Sequence, residues 1–490
     1  MSHLPDGPSR TPERSSMRIA LINPTARRIQ GYHTIGSKIP QGGLQVLAAL
    51  TPAEHTVEII DEVFGCERTE ELLAAGGYDL VGLTAFTCGA PRAYEIAGAV
   101  RKLGVPVVMG GPHAWACPDE AGRYVDSVAV GEADAIWPAI LDDAAAGRLQ
   151  PRYEGGRPEL TGRLGRADQQ IQPINGRYDV AILQTSRGCP IGCDYCSVTL
   201  FNGPRIRRRE IGQILDEWNR TARKFIFVSD DNFFGLNAAQ AEWSKELCRA
   251  IIKHGRRRIW FSQTSINMGD DPEGLRLAYR AGCRGMLIGF ESFNPDNLAD
   301  MHKAINRRNA QRYDELIDGF HRGGLSVFGC FIIGADHDTP DTVAETAYQS
   351  VRIGCDTIQI TNLTPLPGTK MYDRWLAEGR IHATNYPEDW EKYTFTETVY
   401  HPARMTADEL DRAIYELRWA AANRRWVWPR TLRALWRTRS LTSAGFIHGM
   451  NRGWQRMARI QAPADAARFG FVPNGSPRMR KIDDAFALRV

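Results

Sequence analysis

Short β-branched runs that stop at loop residues recur along most of the chain, separated by Ala- and Leu-rich stretches with apolar positions at helical spacing. A helical crossover returns the chain to the same end of a sheet, so successive strands must run parallel and be covered by helices. Five such runs lie within residues 17–147: RIALINP (18–24), TVEIID (56–61), DLVGLTAF (79–86), PVVMGG (106–111) and DSVAVG (126–131). They predict an α/β domain with an open, doubly wound, Rossmann-like parallel sheet. Ligands of such sheets sit at the carboxyl ends of the strands. Here those ends carry Asn23 and Pro24, Thr84 to Thr87, Gly110 to His113, and Gly131 with Glu132.

Six further runs follow: DVAILQT (179–185), KFIFVS (224–229), RIWFSQ (258–263), GMLIGF (285–290), SVFGCFII (326–333) and DTIQIT (356–361). With amphipathic helices such as Ala238–His254 and Asn309–Arg322 between them, they predict a (βα)6 partial TIM barrel over residues 179–370. Residues 148–178 are rich in Gly, Pro and Arg without periodicity and read as a linker. Residues 371–490 read as a helical C-terminal region. Residues 1–16 lack an apolar h-region and read as a disordered leader rather than a secretory signal.

Bulk numbers narrow the class. The formal charge is +4, from 61 basic and 57 acidic residues, too balanced to imply a nucleic-acid partner. No run approaches the ~18 consecutive apolar residues that span a bilayer. The ten cysteines are scattered over 490 residues with no export signal, so a disulfide framework is not expected and a reducing cytoplasm is.

Three of those cysteines are not scattered. SRGCPIGCDYC places Cys189, Cys193 and Cys196 in a C-x₃-C-x₂-C array just after the first barrel strand. Three thiolates on one loop can each hold one iron of a [4Fe–4S] cubane and leave the fourth iron open to a small molecule. A structural zinc site needs four ligands, and neither a second cysteine pair nor a nearby His follows. The array, with Tyr195 before its last Cys, resembles the radical S-adenosylmethionine (SAM) signature. The resemblance implies that the open iron binds SAM and that Tyr195 lies near the adenine. It also implies SAM contacts from Asp230, Asp231 and Asn232 after the second strand, Gln263 after the third and Glu291 after the fourth. For Asp230 to Asn232 a helix N-cap is the blander alternative. TPLPGT (364–369) resembles the turn after the sixth strand of that family.

A doubly wound domain ahead of such a barrel resembles the cobalamin-binding class of the same superfamily. The helix start at Gly42, Gly43 and Leu44, with LTAF (83–86), VVMGGPH (107–113) and VAVGEAD (128–134), carries that likeness. It implies a corrin lying against Thr84, Phe86, Gly110, Gly111, Pro112, His113 and Glu132. Two glycines at a strand end let a backbone approach a flat ring closely, but they also suit a tight turn. No D-x-H-x-x-G motif is present, so no His is expected to hold cobalt from below, and His113 reads more simply as a solvated loop residue. Cys66, Cys88 and Cys117 can be set against the second cluster of the tRNA methylthiotransferases. That class has an early Cys after its first strand, where this chain reads NPTARR, so buried unligated thiols are the better reading.

Residues 390–410 resemble the end segment of cobalamin-type radical SAM proteins, several of which act on polycyclic or lipid-like substrates. Beyond them, NRRWVWPRTLRALWRTR (423–439) holds six Arg, three Trp and no acid. Such a stretch can lie in a membrane interface, giving a peripheral contact. The expectation favoured is a solvated helix with its tryptophans packed on the barrel. Together the resemblances imply a 5′-deoxyadenosyl radical and, with cobalamin, methyl transfer to an unactivated carbon of a small-molecule or lipid-like substrate. An external one-electron donor of flavodoxin or ferredoxin type is implied as well. Oxidation, cyclisation or rearrangement without methyl transfer is the alternative, and no residue separates the two.

Overall fold

The computed structural model describes residues 16–28, 38–167, 170–421, 426–470 and 480–481. The expected leader lies outside the described residues except for Ser16, as do residues 423–425 of the Arg/Trp segment.

Strands β1 (Arg18–Asn23), β2 (Thr56–Asp61), β3 (Leu80–Thr84), β4 (Val107–Gly110) and β5 (Ser127–Gly131) form the N-terminal sheet with β6 (Arg152–Gly156). The order is β2-β1-β3-β4-β5-β6, every pairing is parallel, and the order reverses between β1 and β3. Helices cover both faces, as doubly buried strands require. The sixth strand corrects the linker reading, because it falls within 148–178. RYEGG offers one buried apolar residue, Tyr153, between exposed Arg152 and Glu154, which is too little alternation to read as a strand. It pairs because it lies along the open edge of β5, with Val128 opposite Arg152 and Gly131 opposite Gly156.

The second sheet holds β7 (Ala181–Leu183), β10 (Phe225–Val228), β11 (Ile259–Gln263), β12 (Cys283–Glu291), β13 (Ser326–Ile333) and β14 (Thr357–Asn362). They are ordered β14-β13-β12-β11-β10-β7, all parallel, which is the expected six-stranded partial barrel. A short antiparallel pair, β8 (Ser186–Arg187) and β9 (Arg207–Arg208), brackets the cysteine loop. A core that includes Trp260, Met286, Phe290 and Phe331 fills the space around the strands.

Two C-terminal helices, Val427–Thr438 and Leu441–Phe469, pack on each other and close the amino ends of β12 to β14. Ser443 Oγ donates to Gly324 O at 2.7 Å and Asn451 Nδ2 to Asp356 O at 3.2 Å, so the cap is fastened by polar bonds as well as packing. One expectation fails here. Trp428 and Trp436 are 63% and 69% exposed and do not pack on the barrel. No helix among the described residues is long and apolar enough to cross a membrane.

Candidate active site at the junction of the two sheets

The cysteine loop is held from both sides before any cofactor is considered. Asp230, just past β10, accepts from Thr185 N at 2.7 Å, Ser186 N at 3.1 Å, Ser186 Oγ at 2.9 Å and Thr185 Oγ1. Asp231 accepts from Gly188 N and Asn202 Nδ2, both at 2.8 Å. Asn232 bonds to Ser265 Oγ at 2.7 Å and receives Ser265 N and Gly235 N. Asp230 and Asn232, expected to contact SAM, are both buried, and their polar atoms hold loops together. Asp231 positions the entry to Cys189, and burial pushes its carboxyl up to about 6.

The three thiols share one neighbourhood. Burial raises each above the ordinary thiol range, Cys196 to about 12; neighbouring thiols add to it at Cys189 and Cys196, and the Glu291 carboxylate adds to it at Cys193. The ammonium of Lys303 pulls the other way at Cys193 and Cys196. Among the described residues no three His, Cys, Asp or Glu side chains converge tightly enough for a single ion. A cubane differs, since each thiolate binds its own iron corner. A set of buried thiols beside a fixed cation fits such a group: iron replaces the protons that burial retains, and Lys303 offsets the negative charge of the thiolates.

Lys303 carries no motif and was not among the expected residues. Its Nζ lies 2.8 Å from Glu291 Oε1, with both side chains buried. Glu291 ends β12 at φ +67°, where the register against β13 slips between Gly289 and Glu291. A Cβ at Gly289 would stand 2.2 Å from Glu291 Oε1 and 3.3 Å from Lys303 Nζ, so glycine there makes room for the ion pair. Burial and the Glu291 carboxylate together keep the Tyr195 phenol protonated. Tyr195, Glu291 and Lys303 thus meet the triad. Gln263 ends β11 with an exposed side chain that bonds to no described residue.

Gly111 has φ +85°, and a Cβ there would lie 2.3 Å from Thr84 Oγ1. Its close approach is to β3, so Thr84, Gly110 and Gly111 shape the strand ends and do not line the cavity described below. His113 is fully buried on the helix Gly111–Ala116, not in a solvated loop. Its Nε2 is 3.0 Å from Tyr94 Oη and 3.2 Å from Glu120 Oε1, its Nδ1 has no hydrogen-bond partner among the described residues, and Trp390 packs edge-on against the ring. Glu132 is committed elsewhere: Arg187 Nη1 reaches it at 2.6 Å and Arg207 Nη1 at 3.0 Å, while Arg187 also grips Asp134 at 2.9 Å. This buried clamp ties the end of β5 to the residue two before Cys189. Pairs so far apart in sequence leave no local pattern to read.

Phe86 and Pro112 do face open space. They border a cavity of about 730 Å³ between the sheets, with Asn23 on the same side and Ile360, Met457 and Trp454 opposite. Phe86 is 59% exposed. Ser197 and Phe201, directly beyond Cys196, also line it. A broad, mostly apolar chamber at the switch point of a doubly wound sheet fits a macrocycle. No histidine lines it among the described residues.

Residues 32–141 match the B12 binding domain and residues 183–349 the Radical SAM superfamily. Bacteriochlorophyllide d C-8(2)-methyltransferase of Chlorobaculum tepidum is 32% identical over 373 residues, covering 71% of this chain and 78% of the relative. The chain belongs to the cobalamin-binding radical SAM methyltransferase family. Hopanoid C-2 methylase of Rhodopseudomonas palustris is 26% identical over 362 residues, covering 71% of this chain and 66% of that protein. Among solved structures, the cobalamin-dependent SAM radical enzyme OxsB shares the fold with a TM-score of 0.62 at 12% identity, covering 96% of this chain and 84% of that one. The cofactors of this family member are a [4Fe–4S] cluster, SAM and cobalamin.

Proposed function

We propose that the chain is a cobalamin-dependent C-methyltransferase acting on an unactivated carbon of a lipophilic small molecule or lipid. One observation carries this reading. A single, largely apolar cavity touches the corrin-type edge at Phe86 and Pro112 and the residues that follow the cysteine triad at Ser197 and Phe201. Both cofactor domains therefore open on the space a substrate would occupy. The names of two relatives, a bacteriochlorophyllide methyltransferase and a hopanoid methylase, support a lipophilic occupant.

In this reading Cys189, Cys193 and Cys196 bind the cluster, while Tyr195, Gln263 and Glu291 contact SAM. Lys303 balances the charge of the triad and orients Glu291. Phe86 and Pro112 would lie against the corrin. When bound, the cluster and SAM supply a 5′-deoxyadenosyl radical and cobalamin supplies the methyl group. The chain itself orients these groups, and its apolar walls keep water from the reactive carbon. Electrons come from a flavodoxin- or ferredoxin-type donor in the cytoplasm, and the near-neutral charge supports no nucleic-acid partner.

The test is anaerobic incubation with SAM, reductant and cobalamin. Methyl transfer releases S-adenosylhomocysteine together with 5′-deoxyadenosine. 5′-Deoxyadenosine alone would overturn it, as would protein with a full cluster and no cobalt when cobalamin is supplied. Cys189→Ala, Cys193→Ala and Cys196→Ala are each expected to abolish 5′-deoxyadenosine formation.

A further inference from the structure

The helix Val427–Thr438 turns two unlike faces outward and inward. Val427, Arg433, Ala434 and Thr438 are buried against the rest of the protein. Trp428, Leu432 and Trp436, spaced four residues apart and so on one side of the helix, are 63%, 55% and 69% exposed. Leu441, at the start of the next helix, is 79% exposed. Single exposed apolar residues are ordinary, but two tryptophans and a leucine in register on one helix form a surface that water disfavours.

Charge says what covers it. From Leu417 to Ala464 the chain carries ten Arg and no Asp or Glu. Arg439 and Arg456 are exposed, Arg452 is half-buried, and none of the three forms an ion pair among the described residues. A second protein surface would need matching acids and a fitted apolar pocket. An anionic bilayer asks only for tryptophan and leucine at the headgroup boundary and cations above it. The same hairpin walls the cavity with Val427, Arg430, Trp454 and Met457, so one element has the chamber on one side and the apolar stripe on the other.

We infer that the Trp428–Leu432–Trp436 face seats the protein peripherally on an anionic lipid surface. The inference gains its use from the lipophilic-substrate reading above, but the contact is measured without turnover, so either can fail alone. The experiment is flotation of the cluster-loaded protein with vesicles of phosphatidylcholine containing phosphatidylglycerol, against phosphatidylcholine alone. Binding is expected to the anionic vesicles and to weaken with added salt. The double variant Leu432→Ser/Trp436→Ser should bind roughly tenfold or more weakly, as should Arg439→Glu/Arg456→Glu. Circular dichroism and cluster absorbance would confirm that both pairs of substitutions leave the fold intact. Equal flotation of wild type and both variants would overturn the inference. So would a lipid-free dimer that Leu432→Ser/Trp436→Ser dissociates, since a second copy would then be the cover.

Discussion

Asp230 and Gln263 end neighbouring strands of one barrel, yet removing them has opposite consequences. Asp230→Ala would orphan two buried amides and two hydroxyls, each costing about 1–3 kcal/mol. The expected outcome is loss of soluble, folded protein, read as a large fall in thermal midpoint. Gln263→Ala breaks no bond within the described protein, so its thermal midpoint should hold. Weaker SAM binding by roughly 0.5–1.5 kcal/mol is expected in equilibrium titration. Sequence alone cannot sort such residues, because both are polar groups at strand ends. What sorts them is whether their bonding capacity is already used. The triad was legible because its chemistry is local, three thiols within eight residues. Lys303 and Arg187 were not, because their partners come from distant strands.

Between β13 and β14, His321 and Asp356 tie an outer helix to two strand starts. His321 Nε2 lies 2.9 Å from Asp356 Oδ2, which also receives Val327 N at 2.8 Å. Burial lowers the imidazole, but the attraction of Asp356 and of the Asp318 carboxylate, 3.9 Å from Nδ1, outweighs it and raises it above its ordinary 6.5. A raised value means the folded protein holds the proton longer than the unfolded chain. The stabilisation is therefore complete below about 6.5 and fades as pH rises through the higher folded value. The thermal midpoint should fall from about pH 6 to 8.5, and His321→Gln should flatten that slope. A slope unchanged in the variant would assign it to other groups. At this scale the strand and helix pattern was readable wherever apolar residues repeat. It failed at β6, where one tyrosine among polar residues and glycines pairs only because β5 offers it an edge.

Across the whole molecule, the clamp of Arg187 and Arg207 on Glu132 and Asp134 fastens the two sheets together beside the cysteine loop. Arg187→Met would strip Asp134 of its guanidinium partner in a buried site, which costs about 3–5 kcal/mol when a lone charge remains. Faster proteolysis within residues 157–180 is expected, with iron retained but cobalamin held less tightly. Unaltered cleavage there would show that packing alone couples the sheets. The chamber they enclose draws its walls from both ends of the chain, Asn23 to Pro112 on one side and Ile414 to Gln461 on the other. A ribosome delivers the first group long before the last. The cavity is thus a late product of synthesis: the sheet edge stands open to a bulky cofactor while the barrel is still being made. It gains its opposite wall only when the final helices emerge and dock.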